Sequence, residues 1–386
     1  MTWGGFVHDA AATRVVFGTG GLARVGEEVD RLGARRVLLV AGGPEAQYAD
    51  QLAADLGDRV AARIREVVRH VPVAVATAAV DNARACDADL LLSLGGGSAT
   101  GLAKAVARTT GLPILAVPTT YAGSEMTPIW GLTEANRKTT GRDRRVLPRV
   151  VVYDPELTLT LPGPVAAASG MNALAHAVEG RYAADASPVT SLLAEEAIRA
   201  LARALPAVVA DGSDLAARGE ALYGAWLAGW TLGLAGMGVH HKVCHVLGGR
   251  YDLPHAEVHA VVLPYAAAFN SGYAPAALGR VATALSTADG EPSTASLAAL
   301  DRSDAEPSTA SLAALDRSDA GGRLWDLGRR LGTPASLPEL GFPPSEVDSV
   351  AELVVAGAPV NPRPVDRDGI RALLRAACAG DRPDSG

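Results

Sequence analysis

The chain has 386 residues, of which 48% are hydrophobic and 20% charged, so it has enough apolar side chain for two ordinary domains and too little charge for a disordered protein. Lysine and arginine total 35 against 42 acidic residues, and the net charge of −7 excludes a binder of nucleic acid or of anionic membranes. No apolar stretch is long enough to span a membrane and no secretory signal begins the chain, so we expect a cytoplasmic protein.

The first 160 residues alternate short apolar runs with amphipathic segments. Four of the apolar runs end in Gly, Pro or Asp and are typical of strands buried on both faces, at 35–43, 87–98, 112–120 and 149–157. Strands of this kind, separated by helical segments, predict a parallel sheet with crossover helices. We therefore predict an α/β dinucleotide-binding domain over residues 1–160.

From residue 161 onward the strand patterns fade, and Ala- and Leu-rich helical stretches replace them. The run at 188–210 has helical periodicity, and Pro or Gly ends such stretches. We predict an all-helical second domain over residues 161–386, with the active site in the cleft between the two domains.

A unit of 15 residues, EPSTASLAALDRSDA, occupies 291–305 and recurs without a mismatch at 306–320. A perfect pair is not a solenoid, because solenoid repeats diverge and need more units for a continuous core. Each copy has one Glu, two Asp and one Arg, a net of −2, so the two copies contribute −4 of the −7. We expect a recent duplication in a surface loop inserted at 291–320, and a regulatory or docking segment is the alternative.

Three glycines and a serine follow the apolar strand at 87–94 and open a helical stretch at 99–107. Glycines let a backbone approach a pyrophosphate closely, and the free N–H groups at the start of the helix then hold it. Because this is not the spaced G-x-G-x-x-G fingerprint, a plain strand-to-helix turn is the alternative. The candidate cofactor residues of this turn are Gly95, Gly96, Gly97 and Ser98.

Two further strand ends add candidates, since ligands gather outside the carboxyl ends of parallel strands. The candidate cofactor residues of these loops are Thr119, Thr120, Ser124, Gly42 and Gly43, and Tyr121 is a candidate catalytic residue. The glycine-rich run at 17–21 is either another close approach to a ligand or only a turn.

Five of the eight histidines fall within residues 240–259. His241 and His245 are four residues apart and share one face of a helix, and His255 follows a proline at which the chain can turn back. Together with His176 on an earlier helix, His241 and His255 offer the ligand types of a Zn²⁺ or Fe²⁺ site. A set of hydrogen-bonded core histidines is the alternative.

These motifs resemble those of the iron-containing, or group III, alcohol dehydrogenase family. The resemblance rests on the glycine turn, PTTYAGSE at 118–125, the Asn172–His176 pair, the histidine run at 236–270 and NPRPVDRDGIRALLRAA at 361–377. It extends from Val16 to about Asp381, with only the duplicated segment outside it. Within the family the chain is most similar to the branch that reduces maleylacetate, so the resemblance implies a homodimeric oxidoreductase that uses NADH or NADPH.

The resemblance also implies a site for a divalent metal, Fe²⁺ or Zn²⁺. Its family positions fall here on Asn172, His176, His241 and His255. The family's aspartate is replaced by Asn172, which removes the only anionic ligand and weakens the hold on a divalent cation, although three histidines suffice for some catalytic zinc sites. Gly101, where many family members have an aspartate, is a second departure and matches the maleylacetate branch. We expect the enzyme to work without a metal.

In that branch the implied reaction converts maleylacetate, a small dicarboxylate, to 3-oxoadipate during bacterial breakdown of aromatic compounds. Hydride arriving at the carbon β to the ketone pushes negative charge onto the ketone oxygen, which then needs a hydrogen-bond donor. We expect His241, His245 and His255 to replace the metal in this electrophilic role and to supply the proton. Lys242 and Arg363 are the candidate anchors for the substrate carboxylates, and solvated surface charges are the alternative for both.

The identity of the nicotinamide cofactor depends on the tip of the strand at 35–40. That strand ends in Ala-Gly-Gly-Pro, with no acidic residue to hold a ribose 2′-hydroxyl. We therefore expect NADH to work and NADPH to be tolerated.

Three other functions fit parts of the pattern. The first is a metal-dependent alcohol dehydrogenase or carbonyl reductase of the same family that acts on another small anionic aldehyde or ketone. A lyase similar to dehydroquinate synthase is disfavoured by Asn172 and by the run HHKVCH at 240–245. A non-catalytic binding protein has only the duplicated segment in its favour.

Overall fold

In the computed structural model, the described residues are 6–134, 137–286 and 319–384, with the side chains of 137 and 138 left out. The strands are β1 (Arg14–Phe17), β2 (Val37–Ala41), β3 (Val60–Ile64), β4 (Leu90–Leu94), β5 (Ile114–Val117), β6 (Ile129–Glu134), β7 (Arg137–Arg142) and β8 (Val150–Tyr153). The helices of the same half are α1 (Val25–Arg31), α2 (Ala46–Leu56), α3 (Val73–Ala85) and α4 (Gly97–Thr110).

Six strands form a parallel sheet in the order β1-β8-β5-β4-β2-β3, so their carboxyl ends lie along one edge. The three leucines Leu90–Leu92 of β4 are fully buried, because helices cover both faces of the sheet. The predicted apolar runs contain β2, β4, β5 and β8, which confirms the parallel α/β domain. The sequence patterns missed β1, β3 and the antiparallel hairpin β6–β7 because these strands are only partly buried and have no continuous apolar run.

The second half is helical throughout its described residues. Its helices are α5 (Gly163–Tyr182), α6 (Pro188–Ala210), α7 (Leu215–Leu234), α8 (Val239–Tyr251), α9 (His255–Asn270), α10 (Pro275–Ser286), α11 (Ala320–Arg330), α12 (Val347–Ala356) and α13 (Arg367–Ala379). Helix α6 has the bounds predicted for the run at 188–210. Among the helices described, none is both long and apolar enough to cross a bilayer. The predicted fold class is therefore confirmed.

Most of the duplicated segment, residues 291–318, lies outside the described residues. Its last two residues are described, and they belong to a helix instead of a surface loop. The Asp319 side chain caps α11 by accepting a hydrogen bond from the Gly322 N–H at 2.8 Å, and Ala320 is 1% exposed. The predicted surface loop therefore does not include Asp319 and Ala320. Both copies of the repeat end in Ser-Asp-Ala.

The two halves meet at the loop that follows β5. A Cβ at Gly123 in this loop would lie 2.9 Å from the Cα of Gly229 on α7 and 3.5 Å from the His176 ring on α5. Only a glycine fits so close an approach between a loop and a helix backbone. This contact places the carboxyl edge of the sheet beside the helices that carry the histidines.

Candidate active site

The glycine turn after β4 is shaped for close approach of a ligand. Gly95 has a φ of +142°, which disfavours any side chain, and a Cβ at Gly96 would lie 2.9 Å from Cγ2 of Thr120. Gly96 is also the N-cap residue of α4 and provides no side-chain cap, so the N–H groups of the first helical turn are open to an anion. The geometry favours phosphate binding over a plain turn.

The other predicted cofactor loops lie beside this turn. Gly42 and Gly43 follow β2, the neighbour of β4, and Thr119 and Ser124 follow β5 on the other side. The structure also brings in an acidic residue, Glu45, whose carboxylate accepts a hydrogen bond from the Thr119 hydroxyl at 3.0 Å. The premise that no acidic residue lies at the tip of β2 is therefore wrong. Glu45 was missed because it lies four residues beyond the strand, after a short 3₁₀ turn.

A buried lysine holds the loop after β5. The ammonium group of Lys104 on α4 lies 2.6, 2.7 and 2.9 Å from the backbone carbonyls of Ser124, Thr127 and Ile129. Burial lowers the pKa of Lys104 to about 7, and the charge of Glu125 opposes that shift. Lys104 thus satisfies three carbonyl groups that would otherwise be buried without donors.

Tyr121 does not face the histidines. Its side chain is fully buried in the main hydrophobic core, where burial raises its pKa and the charge of Arg218 lowers it. In this position the hydroxyl approaches Arg218 and Thr158 and cannot reach a substrate in the cleft. The structure therefore contradicts the prediction that Tyr121 contributes to catalysis, because the Tyr121 ring packs in the core.

Six histidines from three helices form one cluster. Its members are His176 on α5, His240, His241 and His245 on α8, and His255 and His259 on α9. Neighbouring rings have centroids 4.4 to 6.4 Å apart. His176, His240, His241 and His259 are buried, whereas His245 and His255 are half-buried and stack on each other. The last two therefore form the part of the cluster that a substrate can touch.

The hydrogen bonds of His176 and His241 indicate where the protons of these two rings lie. His176 places Nε2 3.2 Å from the carbonyl of Ala122, so Nε2 donates and Nδ1 is left with a lone pair. Burial lowers the pKa of His176 to about 3, which keeps this ring neutral. His241 Nε2 lies 2.9 Å from His176 Nδ1, and His241 Nδ1 lies 2.7 Å from the Glu179 carboxylate. With both neighbours as acceptors, we assign His241 as a donor from both nitrogens, in an imidazolium–carboxylate pair with Glu179.

Glu179 is the functional residue that the sequence reasoning missed. It lies one helical turn after His176 on α5 and is fully buried. Burial raises its pKa, but the N–H groups of Gly238, His240 and His241 donate to its oxygens and act in the opposite direction. All its partners are donors, so we assign the ionised form. The signal available in the sequence was a lone acidic residue in the Ala-rich run 163–182.

The donor set at the family's metal positions lacks an anionic ligand. The carboxylate that would neutralise the ion is replaced by Asn172, whose side-chain oxygen is buried without a hydrogen-bond partner. His176 Nδ1 and His241 Nε2 are 2.9 Å apart, which is the separation of a hydrogen bond. These residues therefore hold a divalent cation more weakly than the family's set does.

Gly101, the second departure from the family, lies where α4 faces the loop before α3. A Cβ at this position would come within 3.0 Å of Cγ2 of Val71. Val71 thus fills the space that an aspartate side chain would need.

The structure does not bring Lys242 and Arg363 to the histidine cluster. The Lys242 side chain packs against Gly357, at the carboxyl end of α12, where an ammonium interacts favourably with the helix dipole. The Arg363 guanidinium stacks on the Phe269 ring, 4.2 Å from its centroid. Phe269 lies near the carboxyl end of α9, and His255 begins that helix. Both cations therefore contact groups other than the histidines in this arrangement.

The carboxyl edge of the parallel sheet, which is typical of nucleotide binding, lies beside a largely buried histidine cluster. These two features define the class of the protein, a two-domain oxidoreductase. The chain belongs to the iron-containing alcohol dehydrogenase family. The family model for iron-containing alcohol dehydrogenase matches residues 12–155, and the model for the C-terminal part of the Fe-containing alcohol dehydrogenase family matches residues 166–378.

Within this family the chain is similar over its whole length to maleylacetate reductases. It is 47% identical to the maleylacetate reductase of Sphingobium indicum over 98% of this chain and 99% of that protein. Maleylacetate reductase 2 of Cupriavidus pinatubonensis is 49% identical, with 98% of both chains covered. The crystal structure of maleylacetate reductase from Rhizobium sp. strain MTP-10005 matches with a TM-score of 0.87 and 44% identity, over 98% of this chain and 99% of that one.

Proposed function

We propose that the protein reduces the carbon–carbon double bond of maleylacetate with NADH or NADPH and releases 3-oxoadipate. The observation that carries this proposal is the histidine cluster in which an imidazolium–carboxylate pair, His241 with Glu179, takes the place of a metal. The similarity of the entire chain to maleylacetate reductases supports the same substrate. The uncapped helix start at the glycine turn supports a dinucleotide cofactor.

The reaction needs a hydride and a proton. When bound, reduced nicotinamide would supply a hydride, with its electron pair, to the alkene carbon β to the ketone. Negative charge then develops on the ketone oxygen as an enolate, and a donor to that oxygen stabilises the charge as it forms. A proton added at the carbon next to the carbonyl restores the ketone. The protein must therefore supply one hydrogen-bond donor and one proton.

The half-buried histidines are placed for these two roles. His245 and His255 stack at the open side of the cluster, and His241 lies behind them with its ring centroid 6.1 Å from that of His245. We assign contact with the substrate to His245 and His255, and the fixed positive charge behind them to His241. Glu179 holds that charge in place and is a positioning residue. Asn172 has a free amide oxygen in the same site, which can accept a hydrogen bond from a ligand.

We further propose that the enzyme is a cytoplasmic homodimer in bacterial breakdown of aromatic compounds, as the resemblance implies. Reduced nicotinamide nucleotides are supplied in the cytoplasm, which supports this location. A dimer should show twice the chain mass of 39.4 kDa in light scattering after gel filtration. A mass of 39.4 kDa would contradict the homodimer.

Spectrophotometry with freshly prepared maleylacetate tests the proposed reaction. We expect the absorbance of reduced nicotinamide to fall with one equivalent consumed per equivalent of 3-oxoadipate formed. No consumption with maleylacetate, together with tightly bound iron or zinc and oxidation of simple alcohols, would instead establish a metal-dependent alcohol dehydrogenase.

A further inference from the structure

The turn after β2 lies directly beside the glycine turn after β4. The two strands are hydrogen-bonded neighbours, with Ala41 aligned to Leu94, so the residues that follow them emerge side by side. Glu45 ends the 3₁₀ turn Gly43–Glu45 that follows β2 and immediately precedes α2. Its side chain therefore starts at the same sheet edge as the predicted phosphate site.

The Glu45 carboxylate extends over the glycines of both turns. A Cβ at Gly95 would lie 3.3 Å from the Glu45 carboxyl carbon, and a Cβ at Gly42 would lie 3.5 Å from its Oε2. The Thr119 hydroxyl, from the loop after β5, donates to Oε1 at 3.0 Å. The carboxylate is thus held between the ends of the three adjacent strands β2, β4 and β5.

No cation neutralises this carboxylate within the described parts of the chain, since no lysine, arginine or histidine nitrogen there forms an ion pair with Glu45. Burial raises the pKa of Glu45, and the Thr119 hydroxyl opposes that shift. A half-buried carboxylate without a cation is a poor neighbour for a phosphate, but it is a good acceptor for the hydroxyl groups of a sugar.

The two nicotinamide dinucleotides differ at one such group. NADH presents a 2′-hydroxyl on its adenosine ribose, and NADPH carries a phosphate dianion on the same oxygen. In doubly wound α/β domains the strand beside the phosphate-binding turn carries the acidic residue that binds this hydroxyl. Here the phosphate turn follows β4, its neighbour is β2, and the acidic residue beyond β2 is Glu45.

We infer that Glu45 accepts a hydrogen bond from the adenosine ribose of NADH and selects against the 2′-phosphate of NADPH. This inference rests on the proposed function, because it assumes that the glycine turn binds a nicotinamide dinucleotide. It replaces the expectation that NADPH is tolerated, which depended on the absence of an acidic side chain at this strand tip.

Binding measurements on the full chain test the inference. Dissociation constants for NADH and for NADPH are measured separately by calorimetry, without the dicarboxylate, for the unmodified protein and for Glu45→Gln, Glu45→Ser and Asp55→Asn. Asp55 is an exposed carboxylate on α2, the helix that follows Glu45, and controls for the change in net charge. Thermal melts verify that each variant is folded.

We expect the unmodified protein to bind NADH at least about tenfold more tightly than NADPH, as loss of one charge-assisted contact predicts. Glu45→Gln and Glu45→Ser should reduce this ratio by about tenfold, mainly through tighter binding of NADPH, and Asp55→Asn should leave it within about twofold. An unchanged ratio in both Glu45 variants overturns the inference and leaves the proposed function intact. If the unmodified protein binds neither nucleotide, the proposed function fails and the inference fails with it.

Discussion

The strand-end side of the cleft presents backbone and hydroxyl groups, whereas the histidine side consists of side chains from three helices. On the first side, two glycine turns and an uncapped helix start form the proposed surface for phosphate. On the second side, buried imidazoles share protons around one carboxylate, Glu179. Because the two sides use different groups, we expect substitutions on one side to change cofactor binding and substitutions on the other to change turnover.

The largest expected effect comes from the histidine side. Replacement of His241 or His255 by alanine should lower kcat by about 10²–10⁴-fold, because loss of His255 removes a group in contact with the substrate and loss of His241 removes the positive charge behind it. The affinity for NADH should stay within about threefold, as measured by calorimetry. His8, which lies on the surface and bonds Ser187, provides the matched His8→Ala control with unchanged turnover.

A different result would break the separation of the two sides. If His241→Ala and His255→Ala weakened NADH binding as much as turnover, the histidines would belong to the cofactor site. Full turnover in both variants would exclude the cluster from the chemistry altogether.

Glu179 should have the next largest effect, because it acts only through His241. Glu179→Gln keeps the shape but replaces one carboxylate oxygen by an N–H₂ group, which then faces either the N–H of His240 or the N–H groups of Gly238 and His241. We expect a loss in kcat of about 10–100-fold, as for other residues that orient catalytic groups. Free energies of unfolding from urea titration should fall by about 3 kcal/mol, since a buried pair loses its anion. Normal kcat in a folded variant would show that His241 needs no counter-ion.

Substitution of Asn172 tests whether the histidine side can be returned to a metal site. Chelators should leave the turnover of the unmodified protein unchanged. Asn172→Asp restores the anionic ligand and should raise Co²⁺ affinity by about tenfold, measured from the absorption bands of bound cobalt. Loss of turnover of the unmodified protein on chelation, with recovery on adding Fe²⁺ or Zn²⁺, would refute operation without a metal.

On the strand-end side, Gly96 is the most sensitive position. Gly96→Ala would place a Cβ 2.9 Å from Thr120 Cγ2 and over the phosphate surface. We expect the KM for NADH to rise by about tenfold while kcat at saturating NADH stays within about twofold, the reverse of the histidine variants. The matched control is Gly163→Ala, where a Cβ meets nothing within 4 Å. A fall in kcat with unchanged KM would show that Gly96 affects turnover and not cofactor binding, and would contradict the separation of the two sides.

The sequence predicted the strands and turns of the strand-end side well because they are made of local patterns. An apolar run followed by glycines identifies a buried strand and its turn without knowledge of any distant residue, as Gly95 and Gly96 show. Glu45 was missed for a local reason too, because it ends the short 3₁₀ turn after β2 and does not directly follow the strand. Half-exposed strands such as β3 have no comparable signal.

For the histidine side, the sequence predicted which histidines take part but not how they are arranged. The spacing of His241 and His245 on a helix was enough to place them on one face, but which of the histidines are buried depends on how α5, α8 and α9 pack. The same packing turned Lys242 toward Gly357 and left Arg363 at the far end of α9. Glu179 had no motif of its own, because its partners are backbone N–H groups distant in sequence.

The smallest expected effect concerns the buried cation of the strand-end side. Burial lowers the pKa of Lys104 to about 7, whereas an unfolded lysine keeps its ordinary value near 10.4. Between these values the unfolded chain binds more protons at this residue than the folded chain, so the free energy of unfolding should rise with pH, by up to about 1.4 kcal/mol per pH unit. The penalty of burying the charge is fully present below pH 7 and disappears toward the ordinary value.

Lys104→Met isolates this contribution. The variant leaves the carbonyls of Ser124, Thr127 and Ile129 without their donor, so it should be less stable at every pH. Its stability relative to the unmodified protein should fall further between pH 7 and pH 9, because only the unmodified protein gains from losing the Lys104 proton. Urea titrations at several pH values measure the difference in slope. Parallel slopes would mean that Lys104 keeps its proton, held by the three carbonyls and Glu125, and that the strand-end side contains a permanent buried charge just as the histidine side does.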